Sequence, residues 1–258
     1  MAHRIGIMGI TGRMGQLLAE EVRAAGAILV GGISHAGSGK PAPAGVTLLP
    51  DLSALAAASG AVIDFTHASA AQGTAAAMVE SGKAWVLGTS GLSAADEAAV
   101  EAAASSIPIV YASNFSAGVN LVLALCERMG AALPAEGYDA EIMEMHHRQK
   151  VDAPSGTAVG MGRAVAKGRG QKLEDVMVSG RHGHTGARET GAIGFAALRG
   201  GQVVGEHTLI FASATEHIAL IHRAFDRRAF ATGAVRAALW VVGKPPGLYS
   251  MMDVLEMT

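Results

Sequence analysis

Apolar runs recur at regular intervals along the first half of the chain. RIGIM (4–8), AILVGGIS (27–34), AVIDFT (61–66), AWVLGTS (84–90) and PIVYASN (108–114) are short, and small polar residues close the later ones. Between them lie segments with helical spacing: QLLAEEVRAAG after the first run, then the Ala-rich stretches 68–81 and 93–104. Strands alternating with helices predict βαβ units and a parallel sheet. In such sheets ligands gather beyond the carboxyl ends of the strands. The polar ends ITG, DFTH, GTSG and SNFS therefore collect at one edge.

The pattern changes after about Phe115. Residues 118–133 read as one long amphipathic helix stopped by Pro134. YDAEIMEMHH alternates like a strand, with Ala140, Ile142, Glu144 and His146 on one side. A helix follows the turn at Pro154–Thr157. Then GAIGFAALR, VVGEHTLIFAS and HIALIHRAF follow one another with only tight turns between, which predicts a mixed or antiparallel sheet. The last thirty residues hold one helix and a short strand-like tail that can return to the first domain. The division expected is residues 1–117 with 226–258, and 118–225.

Half of the 258 residues are apolar, enough for a substantial core in each of two domains. The net charge of −2 comes without a basic stripe or arm, which argues against nucleic acid as a partner. Cys126 is the single cysteine, so no internal disulfide can form, and its apolar helical setting LVLALCERMG makes it a core residue. No apolar run reaches the ~18 residues of a membrane helix. The start MAHRIGIMGITG enters a strand pattern without a signal-peptide core. The expectation is a soluble, cytoplasmic protein.

Gly9, Ile10, Thr11, Gly12, Arg13, Met14 and Gly15 lie between the first strand and the first helix. Glycines there let backbone N–H groups approach a pyrophosphate at a helix N-terminus. The spacing is GxxGxxG, with Thr11 at the middle glycine of the strict fingerprint; a tight turn packing helix on strand is the plainer alternative. The fingerprint also calls for an acid about twenty residues on, to hold the ribose 2′-hydroxyl. Here Ser34 and His35 stand at that place, with Lys40 further on. Without a carboxylate to repel a 2′-phosphate, NADPH should at least be accepted; exposed loop residues with no such role are the alternative.

EMHHRQKVDAPSGTA (144–158) concentrates a different chemistry. Neighbouring strand residues point apart, which argues against His146 and His147 binding one metal from the strand, and no zinc-ligand spacing appears, so metal catalysis is a poor first reading. A histidine can donate a proton near neutral pH, and Lys150 adds positive charge. Ser155 can cap a helix whose first N–H groups, at Gly156 and Thr157, suit a carboxylate. The segment fits a small anionic substrate that must gain a proton. In RHGHTGARETGAIGF, Arg181, His182, His184 and Arg188 either close over an anion or form a solvated loop or subunit contact.

These segments resemble the dihydrodipicolinate reductase family, also called 4-hydroxy-tetrahydrodipicolinate reductases, of bacterial lysine and diaminopimelate synthesis. The family segment E-x-H-H-x-x-K-x-D-A-P-S-G-T-A stands intact from Glu144 to Ala158, and Gly12–Gly15, GTSG, SNFSAGVN, RHGHTGAR and GEHTLIFA match further stretches. The resemblance implies an α/β fold: a Rossmann-like N-terminal domain completed by the C-terminal tail, and a substrate domain whose mixed sheet builds a homotetramer. It implies reduction of an unsaturated cyclic dicarboxylate by NADH or NADPH. His146 falls on the family's general acid and Lys150 on its catalytic lysine. His147, Gly156 and Thr157 fall on carboxylate-holding positions. Gly9 to Met14, Gly88, Thr89, Ser90, Ala112, Ser113, Asn114, Phe115 and Arg227 fall on cofactor positions. Ser34 departs from the ribose-binding acid of several members, and His35 from the arginine that often follows it.

Two other classes compete. One is another nucleotide dehydrogenase; those acting on aspartate-derived aldehydes need a nucleophilic cysteine, for which Cys126 is badly placed. The other is a dinucleotide sensor without catalysis, which would not need a proton donor beside a carboxylate cradle.

Overall fold

The computed structural model describes residues 2–35 and 39–257. The first segment reads β1 (Arg4–Met8), α1 (Arg13–Ala24), β2 (Ile28–Ile33), α2 (Leu52–Ala58), β3 (Ala61–Asp64), α3 (Ala71–Ser81), β4 (Ala84–Leu87), α4 (Ala94–Ala104) and β5 (Pro108–Tyr111). β1 pairs in parallel with β2 and β3, and β4 lies between β3 and β5. All of β3 and β4 is buried, as expected of a parallel sheet covered by helices on both faces. Local chemistry sets several boundaries. Ser93 and Asp96 exchange the two bonds of a capping box at the start of α4. Gly82, at φ 64°, ends α3 in the left-handed conformation. Asp51 caps α2, a helix that the apolar pattern does not announce.

The middle of the chain holds α5 (Ala117–Ala132), β6 (Asp139–His146), α6 (Gly156–Gly168), α7 (Leu173–Val176), β7 (Met177–Ser179), β8 (Ile193–Arg199), β9 (Gly205–Ala212) and β10 (His217–Ala224). Their sheet runs β10-β9-β6-β8-β7. β6 is parallel to β8 and antiparallel to β9. The tight turn after Arg199 therefore does not make a hairpin of β8 and β9. Instead it crosses the end of β6, and the Gly200 N–H donates to the His146 carbonyl at 2.9 Å. α5 and α6 cover one face through Val122, Cys126, Met161 and Val165, packed with Ile142, Phe195, Leu209 and Phe211. Each such buried aliphatic side chain contributes ~1.5–3 kcal/mol of transfer free energy.

The chain closes with α8 (Arg228–Val241), β11 (Gly247–Tyr249) and α9 (Met251–Val254). β11 pairs with β5 and completes a six-stranded sheet, β11-β5-β4-β3-β1-β2. α8 packs on this sheet with seven buried residues. Two compact units result: Met1–Ala117 with Arg228–Thr258, and Gly118–Arg227. The architecture is the expected α/β one, a Rossmann-like sheet unit and a mixed-sheet unit. Among the described residues, no helix is long and apolar enough to cross a membrane.

Candidate active site

In the first unit the glycine loop is tied down on both sides. Gly9 and Ile10 N–H groups donate to the Ile33 carbonyl at the end of β2, at 2.9 and 3.1 Å. A side chain at Gly15 would run into the Gly9 carbonyl and the Ile10 backbone, so only glycine lets α1 start this close to β1. Gly12 caps α1 without a side-chain acceptor, which leaves first-turn N–H groups of the helix for a ligand. The Ile10 side chain is wholly buried, so only its backbone can serve there. Arg13 is exposed and Met14 half-buried.

A cavity of about 660 Å³ opens beside the loop, lined by Gly9, Thr11 and Gly12, by Ser34, His35 and Lys40, and by the end of β3. Thr11 Oγ1 and Ser34 Oγ lie 2.7 Å apart. Phe65, Thr66 and His67 also line it; they stand in the strand end DFTH, noticed in the sequence but given no role. Asp64 shapes that turn by accepting from the Thr66 N–H and Oγ1 at 2.9 and 2.6 Å. Burial pushes the Asp64 carboxyl up, against the Thr66 bonds. A second cavity of about 210 Å³ lies between Met14, Phe65, Ser113, Asn114, Phe115 and Phe230. Phe65 borders both. Gly88, Thr89 and Ser90 follow β4, and Ala112 follows β5, at the same carboxyl edge. Phe230, on α8, has no local signal in the sequence. Arg227 is exposed and precedes α8.

In the second unit the alternation along β6 holds: Ala140, Ile142, Glu144 and His146 are all buried. His146 Nδ1 lies 2.6 Å from Glu144 Oε2. Arg199, at the end of β8, donates to both Glu144 oxygens at 2.9 Å. The Ser155 N–H adds a third bond to Glu144, at 3.1 Å. Burial alone would raise the Glu144 carboxyl, but Arg199, His146 and the Ser155 N–H hold it below the ordinary range. The Ser155 hydroxyl caps α6 by accepting from Ala158 N–H at 3.2 Å and lies 3.0 Å from His207 Nε2. Ser155 thus faces inward and supports the site, whereas Gly156 is exposed at the helix start. Thr157 is the second residue of α6. Lys150 pairs with both Asp152 oxygens at 2.8 Å. His147 is half-buried, and its Nδ1 has no hydrogen-bond partner among the described residues. Glu144, Arg199 and His207 are the members that the sequence reading left without a role.

The 181–188 loop sits elsewhere. Arg181 and Arg188 bind Glu141 at 2.9–3.0 Å, and Arg188 also binds Asp139 at 2.8 Å. Glu141 lies five residues from His146, ~16 Å along the strand. Carboxylates already answer the two arginines, and His182 and His184 are exposed. Cys126 is buried, and burial pushes its thiol up to about 12, as suits a core residue. Among the described residues no group of three or more His, Cys, Asp or Glu could hold a metal ion.

Family models described as dihydrodipicolinate reductase N-terminus and C-terminus match residues 3–115 and 118–255. A 4-hydroxy-tetrahydrodipicolinate reductase of Granulibacter bethesdensis is 67% identical over 98% of this chain and 97% of its own. The corresponding protein of Acidiphilium cryptum is 59% identical over 98% of each chain. The solved structure of a dipicolinate-bound dihydrodipicolinate reductase from Paenisporosarcina sp. TG-14 shares the fold, with a TM-score of 0.80 at 24% identity over 98% of this chain and 99% of that one. The chain belongs to the dihydrodipicolinate reductase family, oxidoreductases that reduce 4-hydroxy-tetrahydrodipicolinate with NADH or NADPH.

Proposed function

We propose that the first unit holds NADH or NADPH, that the second holds a cyclic dicarboxylate, and that His146 donates the proton. The observation carrying this reading is the buried His146, backed by Glu144, in the same segment as Lys150 and the open start of α6. The glycine loop, from Gly9 to Met14, and the uncapped start of α1 fit a pyrophosphate. Ser34 and His35 line the adenosine-side cavity with Lys40, and no carboxylate is among its lining residues, which favours acceptance of a 2′-phosphate. Gly88, Thr89 and Ser90, with Ala112, Ser113, Asn114 and Phe115, hold the nicotinamide half, and Arg227 reaches the cofactor. When bound, the cofactor supplies a hydride from its C4. Lys150, His147 and the N–H groups of Gly156 and Thr157 bind and orient the substrate carboxylates, with Ser155 holding that helix start in place. His146 gives a proton to the ring atom beside the one reduced.

His146→Gln should lower kcat by about 10²–10⁴-fold and weaken substrate binding far less; near-normal turnover overturns the role. Lys150→Ala should lose both rate and affinity. Parallel kinetics with the two cofactors test the 2′-phosphate reading, which fails if NADH is strongly preferred. The reliance on a soluble dinucleotide pool suits a cytoplasmic enzyme. The sheet face opposite α5 and α6 exposes Met143, Leu198 and Ile221, an apolar surface that other copies would cover in a homotetramer. Light scattering after size exclusion tests this; a monomer at working concentration refutes it.

A further inference from the structure

Glu144 and His146 stand two residues apart on β6 and face the covered side of its sheet. Glu144 is 1% exposed, and its carboxylate has four short contacts: His146 Nδ1, both arms of the Arg199 fork and the Ser155 N–H. Arg199 is itself anchored, donating to the carbonyls of Leu198 at 2.6 Å and Asp152 at 2.7 Å. On the other flank, the His207 ring from β9 meets the His146 ring edge-on at 5.1 Å. Burial, then the charges of His146 and His222, lower His207 to about 4, so at neutral pH it adds no charge beside His146. His222 on β10 lies behind His207, at 6.1 Å. Of the remaining charged groups of the segment, Lys150 and Asp152 pair with each other and Arg148 is exposed. At Nε2 the picture is the opposite. A Cβ on Gly205 would come 3.0 Å from that nitrogen, so the glycine keeps room on the side away from Glu144.

We propose that Glu144 and Arg199 are positioning residues for the proton transfer. Glu144 accepts the His146 Nδ1–H and so leaves Nε2 as the nitrogen that releases its proton, while Arg199 keeps Glu144 charged and aimed. The proposal rests on the reading of His146 as proton donor. In the step, the Nε2–H bond breaks as a bond forms from that hydrogen to the substrate ring. The electron pair stays on the imidazole, the Nδ1–H remains against Glu144, and the proton complements the hydride supplied by the cofactor. Water then reprotonates Nε2. A carboxylate in this place stabilises the imidazolium and selects its tautomer without taking the proton.

The test is the pH profile of kcat, which should fall on the alkaline side as the donor loses its proton. Glu144→Gln removes a negative charge in contact with the ring and should move that fall down by about one pH unit or more. Arg199→Gln removes a positive charge and should move it up. Packing alone would lower kcat by one factor at every pH. An unmoved fall in either variant removes that residue from the role. Should Glu144→Gln fail to fold, ¹⁵N spectra of histidine-labelled wild-type enzyme decide: neutral His146 carrying its proton on Nδ1 is expected, and a proton on Nε2 overturns the proposal. His146→Gln separates the two levels. Near-normal turnover there refutes the donor reading itself; lost turnover with unmoved profiles in the other two variants refutes only the positioning.

Discussion

Replacing His207 with glutamine should flatten the acid side of the stability profile. His207 is 3% exposed, and burial, then the charges of His146 and His222, lower it to about 4 from an ordinary 6.5. In the unfolded chain the imidazole regains its ordinary value, so the unfolded state binds more protons between these limits. The stability linked to this group is therefore fully present above pH 6.5 and is lost as pH falls towards 4. At pH 5 the unfolded ring is almost wholly protonated and the folded ring about one-tenth so, which costs the folded state ~2 kcal/mol; at pH 7.5 the same group costs almost nothing. Glutamine can still reach Ser155 Oγ, but it does not titrate. Thermal unfolding of both proteins at pH 7.5 and pH 5 measures the effect, and only the pH-dependent difference counts, because lost packing lowers the variant at both. The wild type should lose about 4–8 °C more than the variant between the two pH values. His222, also lowered by burial, is present in both and cancels. Parallel losses, or a His207 ring that titrates near 6.5 in the folded enzyme, would refute the reasoning.

Gly15→Ala places a methyl group against the Gly9 carbonyl and the Ile10 backbone; it should weaken NADPH binding about tenfold or more in a fluorescence titration, and unchanged affinity would mean that the loop is not the pyrophosphate cradle. Cys126 should be silent to a thiol reagent at pH 8 in the native enzyme and react once in denaturant, since burial pushes it up to about 12; fast native labelling would remove it from the core. Arg228→Met breaks the contacts with Glu20 and Glu21 at 2.6–2.7 Å that tie α8 to α1. Its melting temperature should fall modestly, with a gap from wild type that narrows in high salt; a salt-independent gap would point to lost packing instead.

Much of the second unit's site was legible because β6 announces itself. Its period of two placed Glu144 and His146 with Ala140 and Ile142, and all four are buried. The start of α6 was legible for a similar reason: Ser155 followed by glycine and threonine is a local capping signal, and Ser155 does cap. Arg199 and His207 carried no such signal. Their importance comes from β8 and β9 lying on either side of β6, 53 and 61 residues downstream of His146. The 181–188 loop shows the converse. Its arginines left an anion site and a solvated loop or subunit contact equally open in the sequence, and Glu141 and Asp139 on β6 pair with both.

The chain's own residues determined the alternation of strands and helices, the caps, the glycine loop at the start of α1, and the segment that concentrates imidazole, ammonium and a helix start. These are properties of a few neighbouring residues, written as periodicity and backbone preference. Tertiary structure alone decided that β6 runs between β8 and β9, that Phe65 and Phe230 share a cavity wall, and that Glu144 is held by an arginine from another strand. Strand partners are chosen by which buried faces fit together across long separations, and that choice leaves no mark in the local pattern.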